Sequence, residues 1–243
     1  MPLKAPPPSP WFDWSGWYAG FNGGYSWGRS STSYDGTGAG FAAFSTTQDM
    51  DGWLGGVQIG YNRQFNRNWL FGVEADIQGT GQDGAAGFPT IVIPPIVGIA
   101  AAPGATTVGG LSQKLPWFGT ARLRLGYEPS DHWLLYVTGG LAFGEVESDV
   151  GITTTTTTGV VTTATPSASD TRLGWTIGGG AEWWLADRWT AKVEYLYMDL
   201  GTFSDTFAGT GSITTLAISS HVTDNIFRVG VNYHLDGPIA ARY

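Results

Sequence analysis

The feature that most constrains this chain is an alternation of apolar and polar side chains with a period of two, which recurs in eight segments. In residues 17–27, odd positions carry Trp, Ala, Phe, Gly, Tyr and Trp, whereas even positions carry Tyr, Gly, Asn, Gly and Ser. Successive side chains of a β-strand point to opposite faces, so each segment predicts a strand with two different environments. The segments are residues 17–27, 53–62, 69–78, 117–127, 133–143, 172–183, 189–197 and 227–235.

The composition excludes several classes of protein. The net charge of −8 and the absence of a Lys/Arg cluster argue against nucleic acid as a partner. The chain has no Cys, which removes disulfides, thiolate metal sites and Cys nucleophiles. Its three His residues lie far apart in the sequence, so no metal site is expected, and no motif predicts a cofactor. No apolar run is long enough for a transmembrane helix, and no apolar leader opens the chain, which suggests a processed form.

Strands of this kind fit two architectures, a soluble lipocalin-like barrel with its apolar face inside or a membrane barrel with that face outside. Aromatic residues favour the second, because they mark both ends of the strands and enclose a band of aliphatic and small residues, as at the two interfaces of a membrane barrel. One end carries Trp17, Tyr61, Trp69, Tyr127, Trp133, Trp183, Trp189 and Tyr233, and the other carries Trp27, Trp53, Trp117, Phe143, Trp175, Tyr197 and Phe227.

The connections between the strands alternate between short and long. The short ones are residues 64–68, 128–132 and 186–188, and the long ones are residues 28–52, 80–114, 147–171 and 201–224. Bacterial outer-membrane barrels have this arrangement, with short periplasmic turns and long extracellular loops.

The sequence therefore predicts an all-β protein, an eight-stranded antiparallel up-and-down transmembrane β-barrel over residues 14–235 with four long extracellular loops. Residues 1–13 form a Pro-rich arm, expected in the periplasm, and residues 236–243 form a short tail. The expected location is the bacterial outer membrane.

Three pieces of the sequence resemble a known family. They are Lys4-Ala-Pro-Pro-Pro, Trp14-Ser-Gly-Trp-Tyr-Ala-Gly-Phe-Asn-Gly-Gly-Tyr-Ser-Trp-Gly and Phe227-Arg-Val-Gly-Val-Asn-Tyr. Together they look like the small outer-membrane immunogenic proteins of alphaproteobacteria, also described as porin-family or opacity-like proteins. The resemblance implies a structural role in envelope integrity, with surface loops as the contact and antigenic face.

The resemblance also implies partners. The last strand looks like the assembly signal of such proteins, read by the barrel-assembly machinery, with Arg228, Gly230, Tyr233 and Leu235 at its usual spacing. Lipids and lipopolysaccharide of the outer membrane are expected around the barrel. The N-terminal arm is expected to reach toward peptidoglycan.

The polar face of the predicted strands carries as many acidic as basic side chains. The acidic ones are Glu74, Asp76, Glu182 and Glu194, and the basic ones are Arg122, Arg124, Lys192 and Arg228. Strand neighbours are expected to bring Glu74 to Arg122 or Arg124. They are also expected to bring Glu194 to Arg228. The turn at 186–188 places Glu182 opposite Lys192.

These charges allow two interpretations. The favoured one is a buried ion-pair network that closes the lumen, because charges removed from water must be paired. The alternative is a small porin-like channel with a water path beside Arg122 and Arg124. Eight strands enclose barely enough room for their own side chains, which favours the closed lumen.

A lipid-acting enzyme is a further, less favoured alternative, because it needs a nucleophile, a base and an orienting acid within reach of one another. His221, beside Ser219 and Ser220 and near Asp224, is the one candidate. It is interpreted as a histidine at the base of a loop, so no catalytic residue is expected.

The second long loop is unusually apolar. An apolar loop in water must pack onto the barrel or meet a partner, so residues 87–103 are a candidate contact for another protein or a second copy. The side chains concerned are Phe88, Ile91, Val92, Ile93, Ile96, Val97 and Ile99.

Overall fold

The structure is a computed structural model that describes residues 13–38, 43–66, 68–87, 91–92, 106–130, 132–155, 158–165, 167–208 and 213–235. Eight of its strands are long: β1 Gly16–Gly38, β2 Phe44–Gln64, β3 Trp69–Gly87, β5 Thr106–Ser130, β6 Trp133–Thr155, β8 Ser167–Ala186, β9 Trp189–Ala208 and β10 Ile213–His234. Two short strands, β4 Ile91–Val92 and β7 Val161–Ala164, pair with β5 and β6 at the ends that the sequence predicts to be extracellular.

The eight long strands form a closed ring of antiparallel pairs. Each pairs with the next along the chain, and β1 pairs with β10 from Tyr18↔His234 upward. Closure leaves none of these strands with an unpaired edge. The predicted eight-stranded antiparallel barrel is confirmed.

The apolar face of the barrel points outward. Phe21, Leu123 and Val137 are more than half exposed, whereas polar side chains such as Gln78, Arg124 and Asn232 are buried in the lumen. This excludes the soluble alternative, whose apolar face would lie inside. An uninterrupted apolar belt on the outside is stable only against the hydrocarbon of a bilayer.

Aromatic side chains ring both ends of this belt. Near the short turns, four cross-strand pairs have ring centroids 5.1–5.7 Å apart: Trp17–Tyr61, Trp69–Tyr127, Trp133–Trp183 and Trp189–Tyr233. Trp117–Phe143 and Trp175–Tyr197 pack similarly at the other end, at 6.2 and 5.5 Å. We take the strand portions between these two girdles as the membrane-spanning segments. The described ranges contain no helix long and apolar enough to cross a membrane.

The strands extend well beyond the extracellular girdle. The predicted connections at 28–52, 80–114, 147–171 and 201–224 are therefore largely paired β-structure, because β1 continues to Gly38 and β2 already begins at Phe44. The eight predicted segments end where the apolar alternation stops. Backbone pairing continues past that point, because hairpin arms in water need no apolar face to hydrogen-bond to each other.

The other predicted segments lie mostly outside the described residues. These include residues 1–12 of the N-terminal arm and the tail 236–243. Of the apolar loop 87–103, the structure describes Gly87 and the backbone of β4.

Candidate functional site in the barrel lumen

The eight predicted charges meet in one buried layer of the lumen. Glu74 on β3 is the centre of this layer, because it contacts all four cations. Its carboxylate pairs with Arg122, lies 3.1 Å from Lys192 Nζ, and is 3.6 and 3.8 Å from Arg124 and Arg228. The side chains of all eight residues are at most 2% exposed.

The remaining carboxylates bind the same cations from other strands. Asp76 Oδ2 lies 2.8 Å from Arg122 and 2.9 Å from Arg228. Glu194 Oε1 accepts from Arg122 at 3.1 Å, and its Oε2 accepts from Arg228 at 2.6 Å. Four carboxylates therefore face four cations. We call these eight residues the ionic layer.

Two tyrosines complete the ionic layer. Tyr18 donates to Glu74 Oε2 at 2.7 Å and accepts from Arg124 Nη1 at 3.0 Å. Tyr136 donates to Glu194 at 3.0 Å, and its ring centroid lies 3.6 Å from the guanidinium carbon of Arg124. Sequence reasoning did not assign either tyrosine to the site. For Tyr18, the sequence offered one indication, a large aromatic residue on a face otherwise made of small and polar residues.

Apolar layers lie on both sides of the ionic layer. On the periplasmic side, Trp14, Leu70, Leu134 and Tyr136 pack together, with Trp184 against them. The larger cluster on the extracellular side consists of Met50, Leu54, Leu115, Phe118, Ala142, Val146, Leu196, Met198, Leu200, Val222 and Ile226. Along β9, for example, Lys192 and Glu194 are followed on the lumen face by Leu196, Met198 and Leu200. The charges are thus separated from water at both ends by packed side chains.

Polar groups are buried in and above the extracellular apolar layer. Ser30 donates to Gln113 Oε1 at 2.6 Å, and Gln113 Nε2 donates to Ser148 at 3.2 Å. Asp224 accepts from Gln82 Nε2 at 2.8 Å. By the strand register, Asp224 lies one residue beyond the partner of Trp27 in the extracellular girdle. Burial raises the pKa of Asp224 to about 7, against the opposing effect of the Gln82 hydrogen bond.

Arg172 is another buried charged residue that sequence analysis did not assign to the site. It lies on the lumen face of β8, beyond the extracellular girdle, and donates to the carbonyl of Ser220 at 3.4 Å. Its guanidinium carbon lies 5.0 Å from the ring centroid of Phe203. Burial lowers the pKa of Arg172, and the charge of nearby Asp170 opposes this effect.

The structure contains some of the predicted ion pairs and replaces another with different partners. Glu74 contacts both Arg122 and Arg124, and Glu194 contacts Arg228. Glu182 lies opposite Lys192 in the strand register, as predicted. However, Glu182 pairs with Arg124 across the lumen, whereas Lys192 reaches Glu74 and Glu194. For Glu182 and Lys192, contacts across the lumen and along β9 therefore replace the predicted contact between strand neighbours.

The histidine considered for catalysis is not in a loop. His221 lies within β10, on the outward face, where its Nε2 is 2.9 Å from Asp199 Oδ1. Ser220, the adjacent residue, is buried on the lumen face, as is Asp224. Ser219 lies on the outward face with His221, and its hydroxyl oxygen is 3.1 Å from that of Ser204. The alternation of the strand thus separates Ser220 and Asp224, but not Ser219, from the imidazole. Among the described residues, no group of three or more His, Asp or Glu could hold a metal ion.

The predicted assembly residues alternate between the two faces of β10 and its end. Arg228 belongs to the ionic layer, and Gly230 also faces the lumen. Tyr233 lies in the periplasmic girdle, and Leu235 is half exposed just after the strand. The backbone N–H of Leu235 still donates to the carbonyl of Trp17 at 2.8 Å. Their role as an assembly signal stays a prediction.

Comparisons with known proteins agree with this geometry. Residues 12–234 match the family described as outer membrane protein beta-barrel domain. The 31 kDa outer-membrane immunogenic protein of Brucella melitensis biotype 1 is 34% identical over 226 residues, which is 91% of this chain and 84% of that protein. The 22 kDa outer membrane protein of Rhizobium leguminosarum bv. viciae is 28% identical over 79% of this chain and 67% of that protein.

Among solved structures, the outer membrane protein OprG from Pseudomonas aeruginosa aligns with 90% of this chain and 97% of its own, with a TM-score of 0.48 and 13% identity. The sequence matches span nearly all of the described barrel and include the strands that carry the ionic layer. The chain belongs to the outer membrane protein β-barrel family and is an outer-membrane protein similar to the outer-membrane immunogenic proteins of Brucella.

Proposed function

We propose that this protein is a closed, non-conducting outer-membrane barrel with a structural role in the envelope, and that its extracellular arms are its surface for contacts. The observation that carries the proposal is the ionic layer. Its four acidic and four basic side chains are fully buried and mutually paired between two apolar layers.

The energetics of buried charges support a closed lumen. A charge taken out of water costs several kcal/mol unless it is paired and hydrogen-bonded. Arg228, for example, contacts Glu74, Asp76 and Glu194, so its charge is compensated without solvent. A conducting pore would instead keep water or permeating ions at its charged residues.

The close approach of the strands supports the same conclusion. At Gly140 an added Cβ would lie 2.7 Å from the Cα of Arg122, and at Gly24 it would lie 2.8 Å from the Cβ of Arg228. An eight-stranded barrel has an interior just wide enough for its side chains. In this barrel, glycines on the lumen face make room for the large charged residues beside them.

A contact role for the extracellular arms rests on their construction and on the relatives. Paired strands extend beyond the girdle on every hairpin, with their outward faces exposed and inner-face residues such as Ser30 and Gln113 buried. The Brucella relatives are named outer-membrane immunogenic proteins, which is consistent with surface-exposed arms. The proposal includes no catalytic role, because Ser220 and Asp224, two of the candidate residues near His221, are buried on the opposite face of β10.

Single-channel recording in a planar bilayer tests the closed lumen. The purified barrel must first show the faster migration of an unboiled sample on a gel, which identifies the folded form. A general porin reconstituted in the same lipid provides the positive control. We expect no discrete conductance steps from the folded wild-type protein. Steady steps whose size changes in Arg122→Gln would contradict the proposal and identify a channel.

A further inference from the structure

The outer wall of the barrel carries a group of aromatic residues that the closed lumen does not explain. Tyr25 and Trp27 on β1 and Trp53 on β2 lie together at the extracellular girdle. The Tyr25 ring lies edge-on between the two indoles, with centroids 5.2 Å from Trp27 and 5.1 Å from Trp53. Trp53 is 75% exposed, the highest fraction among the large apolar side chains that the structure describes, and Trp27 is 51% exposed.

Polar groups surround these rings on the same outward face. The Tyr25 hydroxyl donates to Asp51, which lies directly opposite Trp27 in the strand register. On the other side of Trp27, Asn225 is its register partner on β10 and accepts from the Tyr195 hydroxyl at 2.6 Å. The strand order therefore places a carboxylate and an amide on either side of one exposed indole.

A cationic side chain lies next to this group, on the side away from the membrane centre. Arg29 follows Trp27 on the same face of β1, and its Nε is 3.3 Å from Asp49 Oδ1. The side chain of Arg29 is 66% exposed, and that of Asp49 is 73% exposed. An ion pair this exposed contributes only about 0–1 kcal/mol, so the guanidinium can also bind a phosphate group.

Toward the membrane centre from these rings, three neighbouring glycines leave part of the outer wall without side chains. Gly23, Gly55 and Gly79 lie side by side on β1, β2 and β3 and face the lipid. An added Cβ at each would meet no atom closer than 3.6 Å, so the space over them is open. The floor they form is about 10 Å wide, from two strand spacings of about 4.8 Å.

Larger side chains border this floor. Tyr25 and Trp53 lie above it, and Phe21, Val57 and Ile77 form a register row below it. All three residues of the lower row are exposed, at 65%, 47% and 51%. The floor and its borders make a shallow apolar trough at hydrocarbon depth that begins directly under the aromatic and polar group.

We propose that this sector binds one glycolipid of the outer leaflet, a lipopolysaccharide molecule. Its sugar headgroup would stack on Trp27 and Trp53 and hydrogen-bond to Asp51 and Asn225, with a phosphate at Arg29. One acyl chain would lie in the trough over the three glycines. Flat indole faces beside hydrogen-bonding groups suit sugar rings, which have apolar faces and polar edges.

The depth of this sector in the membrane indicates that its occupant is a lipid headgroup. On β2, the outward face changes from Val57 and Gly55 to Asp51 and Asp49 within a few residues, with Trp53 at the transition. Aromatic residues at such a transition lie at the depth of the lipid headgroups. In the outer leaflet of an outer membrane, those headgroups are phosphorylated sugars.

The test measures lipid binding to the folded barrel by native mass spectrometry from a neutral detergent. The probes are purified lipopolysaccharide reduced to lipid A and inner core, and phosphatidylethanolamine. One variant combines Trp27→Ala with Trp53→Ala. A second, Gly55→Leu, fills the trough and keeps every aromatic residue. The control combines Trp69→Ala with Trp133→Ala, which removes two tryptophans of the periplasmic girdle that are 41% and 47% exposed.

We expect wild type and the control to retain lipopolysaccharide in preference to phosphatidylethanolamine. Both test variants should bind lipopolysaccharide about tenfold more weakly, the effect of losing roughly 1.4 kcal/mol. The unboiled gel shift confirms that each variant is folded. The proposal fails if the control loses as much affinity as the test variants, or if either test variant binds as tightly as wild type. It also fails if wild type retains both lipids equally.

Discussion

At the level of single residues, Glu74 shows how the lumen is organised. One carboxylate contacts all four cations of the ionic layer and accepts a hydrogen bond from Tyr18. The charges are therefore shared among several partners and do not form four separate pairs. In such a network the loss of one member leaves its former partners buried without full compensation.

This sharing gives a prediction for Arg124. Arg124→Met removes one cation and leaves the carboxylate of Glu182 buried without its ionic partner. Unfolding by urea in lipid vesicles, followed by tryptophan fluorescence, should show a loss of about 3–5 kcal/mol. Adding Glu182→Gln restores a neutral layer and should recover part of that loss. A double variant as unstable as the sum of the two single variants would contradict the network.

A second residue-scale prediction concerns Asp224, whose buried carboxyl has a pKa of about 7. Its pKa in the unfolded chain is near 3.9. Between these two values the unfolded chain loses the proton and the folded barrel keeps it, so stability falls as the pH rises from about 4 to about 7 and stays lower above that. Asp224→Asn keeps an acceptor for Gln82 and removes the ionisable group.

The expected result is that Asp224→Asn is close to wild type at pH 4 and more stable at pH 8, by an amount on the order of a few kcal/mol. Urea unfolding in vesicles at the two pH values provides the measurement. Asp83→Asn, which removes an exposed outward carboxylate on β3, is the control. The same stability difference at both pH values would show that Asp224 does not titrate in this range.

At the level of the strands, adjacent glycines on opposite faces have different roles. Gly140 on β6 faces the lumen, where a Cβ would lie 2.7 Å from the Cα of Arg122 on β5. Gly139 faces outward, where a Cβ would lie 3.5 Å from the nearest atom, an ordinary contact. The first glycine therefore permits the close approach of β5 and β6, whereas the second is replaceable.

Gly140→Ala should destabilise the barrel by about 1–3 kcal/mol, because the strands must move apart beside a packed layer. Gly139→Ala should be neutral or slightly stabilising, since it reduces the entropy of the unfolded chain. The midpoints of urea unfolding in vesicles compare the two variants at neighbouring positions. Equal effects would mean that the lumen is not packed as the structure shows.

At the level of the whole molecule, the barrel has two distinct ends. Short turns close one end, and the strands of the other end extend far beyond the girdle. In an outer-membrane barrel the short turns lie in the periplasm and the long connections face the cell exterior. The exposed side chain of Asp49 should therefore face the medium, and that of Asn66 should face the periplasm.

Single cysteines can test this orientation directly, because the chain contains no cysteine of its own. On intact cells, a membrane-impermeant maleimide should label Asp49→Cys and leave Asn66→Cys unlabelled. After permeabilisation of the outer membrane, both variants should react. Labelling of Asn66→Cys alone on intact cells would show the opposite orientation.

Some features of the site followed from the sequence because strand geometry is local. A period of two assigned the eight charged residues to one face, and the adjacency of consecutive strands placed Glu74 near Arg122 or Arg124. The pairing of Glu182 with Arg124 and the contact of Lys192 with Glu74 did not follow, because these residues meet across the lumen. The place of Trp14 in the lumen could not be predicted from the sequence either, since Trp14 precedes the first strand and packs against residues of β3, β6 and β8.

The sequence by itself determined the number of long strands, the face each of their side chains takes and the apolar belt with its aromatic ends. These properties follow from the period of the backbone and from the difference between hydrocarbon and water. Only the tertiary structure decided which lumen side chains meet, how far the strands continue past the membrane, and where exposed rings adjoin open glycines. Those features depend on closure of the ring and on the stagger of its strands, which bring together residues far apart in the chain.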